Sequence, residues 1–409
     1  MSEILFLAHR VPFPPNRGDK IRSHHLLRKL ASMAPVHVGC FTETAEDRAS
    51  MGEVEQISQT CCVPQRSKPL TLAGVQAVLT GQPVSLTAFH SARLEKWVRQ
   101  TVAERNISAI VLFSGQMGQY IPDEFDGRVI IDLCDVDSAK FDGYAQAGER
   151  VWLNAREGRL LAKEEERLAR RCDATLLSTQ AEADLFRSCV SAHSNASVHA
   201  LGNGIDAKAF DSGHVNAHTA LETTEGPHFV FTGQMDYRPN EAAALWTIER
   251  FLPHAQRHYP NVRIHVVGRN PTPQLIRYDG QPGVRIWGEV PDVRPFLAGA
   301  TCVIAPLRIA RGVQNKVLEA MAMARPVLLT PEAATGIDSR DGEHWMVAEA
   351  DPEAMLKRFS ELMADRGAAA RMGQAARDFV LAHHDWEAML APLDALVFGS
   401  DHDEARNAA

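Results

Sequence analysis

Short apolar runs alternate with longer amphipathic segments along most of the chain, and this alternation is the feature that most constrains its fold. Runs such as 4–8, 129–133 and 302–305 have the length of buried strands, whereas 154–171 has the length and apolar spacing of a helix. Strands that alternate with helices predict parallel sheets with helices on both faces. The predicted fold class is therefore α/β.

The alternation stops once, at residues 207–227, which are polar and offer little to bury. A chain of 409 residues exceeds the size at which a single core usually stops growing, about 250–300 residues. We therefore expect two successive α/β domains joined by a linker. The predicted boundaries are a first domain at 1–205, a linker at 206–227, a second domain at 228–385, a last helix at 386–400 and a flexible tail at 401–409.

Composition excludes several classes of protein. The net charge of −8 argues against a nucleic-acid partner. The start of the chain lacks the features of a signal peptide, and no apolar run has the length of a transmembrane helix. The seven cysteines are scattered without a CxxC pair, which argues against a zinc site and suits reduced thiols in the cytoplasm. We expect a cytoplasmic protein without a bound metal.

The densest chemical signal lies at residues 305–322, where a strand ends and a loop with Gly312 leads to a helix that begins near Asn315. The first N–H groups of a helix are free and carry partial positive charge, so such a turn suits a diphosphate. Arg308, Arg311 and Lys316 add positive charge. A solvated, charged loop before an amphipathic helix is the alternative interpretation.

Glu319 lies one turn inside this helix, where its carboxylate can accept hydrogen bonds from the two hydroxyls of a ribose. We predict a nucleotide-binding segment, because open α/β sheets bind ligands at the carboxyl ends of their strands. Its predicted ligand-binding residues are Arg308, Arg311, Gly312, Val313, Gln314, Asn315, Lys316 and Glu319.

The segment resembles the donor loop of family-4 retaining glycosyltransferases of the GT-B fold, whose usual form is E-G-x-G-x-x-x-x-E-A-x-A-x-G-x-P-V. The segments 203–206, 288–292 and 384–386 are similar to further motifs of that family, in the same order along the chain. The residues that match the donor loop are Gly312, Glu319, Ala320, Met321, Ala322, Pro326 and Val327.

The resemblance implies two Rossmann-like domains that face each other across a cleft, with the last helix crossing back to the N-terminal domain. The N-terminal domain would bind the acceptor and the C-terminal domain a UDP- or GDP-sugar, with no other cofactor. Gly18, Gly233, Gly288 and Val290 would also contact the donor. Transfer by this hexosyltransferase type of enzyme would retain the anomeric configuration.

Segments 132–138 and 232–240 resemble a narrower subgroup, the sugar transferases found beside exosortase and PEP-CTERM exopolysaccharide loci of Gram-negative bacteria. This resemblance implies a role in exopolysaccharide biosynthesis. The acceptor would then be a saccharide or a polyprenyl-pyrophosphate-linked sugar, which places the protein in the cytoplasm or peripherally at the inner membrane.

Two positions depart from the family pattern. Arg311 stands where the first acid of the donor loop is usual, and an arginine cannot accept a hydrogen bond from a sugar hydroxyl. Gln234 and Pro239 stand where an arginine and a lysine are usual. We expect Arg238 or Lys316 to stabilise the leaving diphosphate instead.

Three carboxylates, Asp132, Asp135 and Asp137, follow a predicted buried strand. They are suited to capping the next element, to binding a metal or to acting near the acceptor hydroxyl. We predict the last role for Asp135, which matches the acceptor side of the family pattern.

Residues 17–20 precede a predicted helix, and Gly18 there suits either a contact with the diphosphate or a plain turn. A basic cluster in the same region suits either an anionic lipid or lipid-pyrophosphate partner or a solvated helix face. The cluster comprises Arg10, Arg17, Lys20, Arg22, Arg28 and Lys29.

The sequence thus favours a glycosyltransferase that uses a nucleotide-sugar. Two alternatives remain at this stage. One is a UDP-sugar 2-epimerase on the same fold, and the other is a non-catalytic subunit that keeps the fold without the activity.

Overall fold

The computed structural model describes residues 2–15, 17–146, 148, 150–190, 197–310 and 313–399. The chain divides into two compact units. Unit 1 comprises the described residues up to 202 together with 390–399, and unit 2 comprises 203–389. Both units contain a parallel sheet with helices, so the α/β prediction is confirmed.

Unit 1 is built on a seven-stranded parallel sheet in the order β3-β2-β1-β4-β5-β6-β7. Most of its strand residues are buried, because helices cover both faces of a parallel sheet. The strands are β1 (Glu3–Ala8), β2 (Val36–Gly39), β3 (Thr60–Cys62), β4 (Ile107–Phe113), β5 (Arg128–Cys134), β6 (Ala174–Leu177) and β7 (Val198–Ala200).

The helices of unit 1 occupy the connections between these strands, and a 3-10 helix follows β4 at Gly115–Tyr120. They are α1 (Gly18–Met33), α2 (Ala45–Ala49), α3 (Met51–Ile57), α4 (Leu70–Thr80), α5 (Val84–Ala88), α6 (Ala92–Glu104), α7 (Asp137–Gln146), α8 (Val151–Arg171) and α9 (Gln180–Cys189).

Unit 2 has a six-stranded parallel sheet in the order β10-β9-β8-β11-β12-β13. Its strands are β8 (His228–Thr232), β9 (Arg263–Val267), β10 (Val284–Gly288), β11 (Cys302–Ala305), β12 (Val327–Leu329) and β13 (Met346–Val347). Its helices are α10 (Thr219–Glu222), α11 (Arg238–Trp246), α12 (Leu252–Gln256), α13 (Pro273–Ile276), α14 (Arg294–Gly299), α15 (Asn315–Ala322), α16 (Pro331–Ala334), α17 (Pro352–Ala364), α18 (Arg366–His383) and α19 (Trp386–Met389).

One turn of π-helix, Thr247–Phe251, joins α11 to α12. The last helix, α20 (Leu393–Phe398), packs against β4 and β5 and so belongs to unit 1. Within the part of the chain that the structure describes, no helix is both long and apolar enough to span a membrane.

The strand order reverses direction once in each sheet, between β1 and β4 in unit 1 and between β8 and β11 in unit 2. At such a switch point the two neighbouring loops leave in opposite directions and open a crevice outside the carboxyl ends of the strands. Each unit therefore has one place where its topology favours a ligand.

Two parts of the chain differ from the sequence-based expectation. Residues 206–227, expected to be a linker, lie within unit 2, because Leu221 is buried and His218 stacks on Phe296 with 4.4 Å between ring centroids. The helices α4 and α5 were not predicted, since the apolar residues of α4 do not follow the spacing of a helix with one buried face.

The basic cluster near α1 is only partly solvated, with Arg17 and Arg28 exposed. Lys20 and Arg22 are buried, and they pair with Asp47 and Asp132. The Arg22–Asp132 pair, at 2.8 Å, joins α1 to the end of β5. Removing one member of a buried pair leaves an unpaired buried charge, so these residues fix α1 on the sheet. The expected contact of this cluster with anionic lipid is therefore wrong for its central residues.

A chain of hydrogen bonds runs through the buried side of the unit 2 sheet. The indole N–H of Trp287 donates to His265 Nδ1 at 3.1 Å. His265 Nε2 then donates to His228 Nδ1 at 2.9 Å, and His228 Nε2 donates to the Thr224 carbonyl at 3.0 Å. Every ring nitrogen has a partner only when both imidazoles are neutral.

This arrangement predicts a loss of stability in mild acid. Burial lowers the pKa of His265 from 6.5 to about 3 and also lowers that of His228. The unfolded chain takes up these protons below pH 6.5 and the folded chain does not, so the stabilisation is present above pH 6.5 and lost as the pH falls toward 3. We expect His265 to account for roughly 2 kcal/mol of unfolding free energy lost between about pH 7.5 and about pH 5.

Urea unfolding at the two pH values measures this loss. In the His265→Gln variant the amide keeps an acceptor for Trp287 and a donor for His228 but cannot be protonated. Its pH-dependent loss should be smaller than that of the wild type by about the same amount. An equal loss in both proteins would contradict the assignment.

Candidate functional site

Three glycines lie side by side where β8, β9 and β10 end. Gly233, Gly268 and Gly288 all have positive φ angles, of 152°, 152° and 68°. The Gly268 N–H donates to the Gly288 carbonyl at 2.8 Å. A Cβ atom on Gly268 would lie 1.7 Å from the Gly233 carbonyl oxygen, so only glycine fits there. The strand ends pack backbone against backbone, which leaves room for a ligand beside them.

Gly233, Gly268 and Gly288 together form what we call the glycine edge. Lys316, in the first turn of α15, reaches this edge at Gly233. Its Nζ donates to Asn240 Oδ1, and it lies 5.0 Å from the centroid of the Phe231 ring. Asn240 is buried, and its Nδ2 donates to the Gln234 carbonyl at 2.9 Å. Burial lowers the pKa of Lys316 from 10.5 to about 8, and the negative charge of Glu319 partly opposes that fall.

Glu319 lies one turn further along α15. Among the described residues its carboxylate accepts no hydrogen bond and forms no ion pair. Burial raises the pKa of Glu319 to about 7, and the positive charge of Lys316 partly opposes that rise. A carboxylate without a hydrogen-bond donor from the protein can accept hydrogen bonds from ribose hydroxyls, as the ribose-binding prediction requires.

The remaining predicted donor residues of α15 lie around its first turn. Gln314 caps the helix without a side-chain hydrogen bond to the helix backbone. Val313 and Gln314 are half-buried and Asn315 is exposed. Arg311 and Gly312 lie outside the described residues. Their predicted roles in donor binding therefore stay predictions.

A cavity of about 700 Å³ lies beside α11 in unit 2 and brings Arg238 together with Arg308. Both side chains are exposed, and the Arg308 guanidinium donates to the Ala350 carbonyl at 3.4 Å. Tyr237, Trp246 and Ile309 provide apolar surface in the same cavity. Two guanidinium groups beside apolar side chains suit an anionic ligand with an apolar face.

The predicted residues of unit 2 thus fall into two groups on either side of the start of α11. Lys316 and Gly233 contact Asn240, whereas Arg238 and Arg308 line the cavity. Gly288 belongs to the glycine edge. Val290 follows it in a loop and is half-buried against the core.

In unit 1, Gly18 and Asp135 line a second cavity, of about 510 Å³, at the switch point of that sheet. Asp135 is exposed and accepts a hydrogen bond from Ser178 Oγ at 3.1 Å. Gly18 begins α1 with a negative φ, and no atom lies within 4 Å of where its Cβ would be. Its backbone conformation therefore does not require glycine, although the open space beside it leaves the backbone accessible.

Of the other two carboxylates near Asp135, Asp132 is buried, whereas Asp137 lines the same cavity as Asp135. Asp132 pairs with Arg22. Asp137 begins α7, and burial raises its pKa. Among the described residues, no group of three or more Asp, Glu, His or Cys side chains is arranged to hold a metal ion.

Sequence reasoning missed Asn240 as a site residue. It is close to Pro239, which stands at the start of α11. The sequence did hold one signal: residues 232–240 contain no lysine, whereas position 316 is a lysine. A ligand phosphate needs a cation from one of these two segments.

Comparisons with known proteins agree with this geometry. Residues 226–365 match the family model described as Glycosyl transferases group 1. No curated protein matches the chain. Sucrose-phosphate synthase from Thermosynechococcus elongatus is 15% identical, with a TM-score of 0.62 over 100% of both chains.

Two further solved structures are similar to the chain. HepE of Anabaena in complex with UDP is 14% identical, with a TM-score of 0.62 over 100% of both chains. TarM is 11% identical, with a TM-score of 0.61 over 97% of this chain and 99% of that one. These likenesses confirm the predicted GT-B fold.

The glycine edge generates a stability prediction. Gly268→Ala should destabilise the protein by about 2–4 kcal/mol, because the new methyl group collides with the Gly233 carbonyl and displaces the loop that holds Asn240. Gly342→Ala is the control, since Gly342 also has a positive φ, of 79°, but open space around its Cβ position. Thermal unfolding of both variants should show a loss of only about 1 kcal/mol for the control. Equal losses would mean that backbone strain alone, and not the close packing, requires Gly268.

Proposed function

We propose that this chain is a glycosyltransferase that takes its sugar from a nucleoside-diphosphate donor, which binds at the glycine edge of unit 2. The family match of residues 226–365 and the GT-B fold support this activity. HepE, one of the similar structures, contains UDP, which supports a UDP- or GDP-sugar as the donor here.

The observation that carries the proposal is the state of Lys316. Its ammonium group is largely removed from water, yet its hydrogen-bond partner is the neutral amide of Asn240. Removing a cation from water is costly unless anions compensate it, and the carboxylate of Glu319 offsets that cost only in part. A diphosphate at the glycine edge would supply a further anion, and Glu319, one turn away, would accept hydrogen bonds from the ribose.

The same arrangement supports a role for Lys316 in the reaction. Negative charge develops on the diphosphate as the bond to the sugar breaks, and an ammonium group already in place stabilises that charge without solvent reorganisation. Arg238 and Arg308 are available for the same charge from the neighbouring cavity. Asp135, in unit 1, is proposed to act near the acceptor hydroxyl.

The finer features of the reaction are proposals that rest on sequence resemblance. We propose transfer with retention of configuration, to a saccharide or polyprenyl-pyrophosphate-linked acceptor in exopolysaccharide biosynthesis. Segments 132–138 and 232–240 support this assignment. Donor incubated without acceptor tests the class of reaction, because a transferase leaves most of it intact, whereas complete conversion to a second nucleotide-sugar would identify an epimerase.

Donor binding gives a direct test of the two residues. With whichever of UDP, GDP or ADP binds the wild type best, Lys316→Met should weaken binding by about 10- to 100-fold, because a charge-assisted contact is lost. The matching nucleoside without phosphates should bind this variant as well as the wild type. Glu319→Gln should weaken both ligands by roughly tenfold, since the ribose is common to them. Isothermal titration calorimetry measures both.

Lys357→Met is the matched control, since Lys357 is an exposed lysine of α17 in the same unit. It should bind all ligands as the wild type does. Unchanged diphosphate binding by the Lys316 variant would remove Lys316 from the site. No binding of any of the three nucleotides by the wild type would overturn the proposal as a whole.

The pKa values of the two groups add a pH dependence to the same measurement. The ligand needs the charged form of Lys316, whose pKa is about 8, so affinity for the diphosphate should fall as the pH rises above 8. It also needs ionised Glu319, whose pKa is about 7, so affinity should fall below pH 7. Wild-type affinity should therefore be highest between pH 7 and 8, and the alkaline fall should be absent in Lys316→Met.

A further inference from the structure

The helix α4 of unit 1 carries its large apolar side chains on the outside. Its two buried residues are the small Ala73 and Ala77, which lie four positions apart and face the protein. None of its 11 residues is charged. A surface helix normally turns its large apolar side chains inward. The exposed ones here are Leu70 (65% exposed), Leu72 (57%), Val75 (59%), Val78 (56%) and Leu79 (82%).

Hydrogen bonds on the inner side of α4 hold it in this orientation. Thr87 Oγ1 donates to the Ala73 carbonyl at 3.0 Å, and the Arg156 guanidinium donates to the Ala77 carbonyl at 2.7 Å. Lys68 Nζ donates to Gln76 Oε1 at 2.9 Å. The outward apolar face is therefore part of the folded arrangement.

The start of α8 extends the same apolar surface. Trp152 is 68% exposed and Val151 is 53% exposed. Trp152 lies one turn before Arg156 on one face of α8, and Arg156 contacts α4. A tryptophan in such a position has an apolar ring with one polar N–H, which suits a boundary between water and an apolar phase.

The charges around this surface are mostly basic, although the exposed Asp142 lies against Gly158 of α8 and Arg66 pairs with Glu43. The chain has 51 acidic and 43 basic residues, yet no acid lies between Glu55 and Glu95, a stretch that holds Arg66, Lys68 and Arg93. On α8, Arg159 and Lys163 are exposed. Glu157, on the same helix, is buried and accepts hydrogen bonds from the amides that begin α5.

We propose that α4 and the first turns of α8 form a surface that docks onto an anionic lipid bilayer. Leucine, valine and tryptophan side chains partition into the boundary between headgroups and acyl chains, while lysine and arginine pair with lipid phosphates. At about 16 Å the helix is too short to span a bilayer, so it lies in the plane of the membrane.

The charge pattern favours lipid over a protein partner. A protein interface of this size usually has a rim with charges of both signs, whereas this surface has basic residues along its sequence and on α8. Lys20 and Arg22 of the basic cluster do not compete for lipid, since they are buried in ion pairs. The proposal does not depend on the donor assignment, because no residue of unit 2 takes part in it.

Vesicle flotation of the full chain tests the proposal. The protein should float with phosphatidylcholine vesicles that contain phosphatidylglycerol, and should stay behind with phosphatidylcholine alone. The double variant Leu72→Gln, Leu79→Gln should lose at least about tenfold in partitioning, because two exposed apolar side chains no longer enter the bilayer. The matched control is Ile276→Gln, Leu381→Gln, which removes exposed apolar side chains (52% and 41%) from unit 2 and should partition as the wild type does.

Arg159→Gln, Lys163→Gln tests the electrostatic part, and it should weaken the preference for the anionic vesicles. Thermal unfolding of each variant should match that of the wild type, which shows that each is folded. Equal recovery of the wild type with both vesicle types, no recovery with either, or full binding by the α4 double variant would overturn the proposal. A wild-type dimer in lipid-free sedimentation that the α4 variant loses would also overturn it, by assigning the surface to a second copy of the chain.

Discussion

An ammonium group that is paired with a neutral amide is the interaction on which the site of unit 2 depends. Lys316 meets Asn240, and Asn240 in turn holds the Gln234 carbonyl of the loop after β8. That loop can approach the end of β9 because Gly268 lacks a side chain, and it can approach Asn240 because Gly233 lacks one. Loop, helix and strand ends therefore depend on one another. Inside the protein, the charge of Lys316 is offset only in part, by Glu319.

In unit 1, by contrast, the buried basic side chains form ion pairs with carboxylates of the protein. Arg22 and Lys20 have carboxylate partners inside the protein, and Asp19 accepts from both Arg10 and Arg17. These groups stabilise the position of α1 and leave little net charge on it. Exposed basic residues of this unit lie on α8, while α4 holds no charged residue and Glu157 of α8 is buried. Charge in a sequence thus says little about surface charge until the partners are known.

Much of the fold could be predicted because local patterns determine it. Buried strands such as β1 and β11 are short apolar runs, and the order of strands and helices implies two parallel sheets. The donor segment could also be located, since a glycine loop, a helix start and an acid lie close together in sequence. The residues 206–227 were misjudged because Leu221 and His218 pack against Gly299 and Phe296, which lie far later in the chain.

The sequence by itself determined the α/β class, the GT-B resemblance and the position of Lys316 and Glu319 on one helix. Only the tertiary structure decided which charges are compensated: it paired Arg22 with Asp132, left Glu319 without a partner among the described residues, and gave Lys316 an amide. It also decided that α4 turns its small residues inward. The physical reason is that periodicity and helix position depend on neighbours in sequence, whereas desolvation and pairing depend on groups that folding brings together from distant positions.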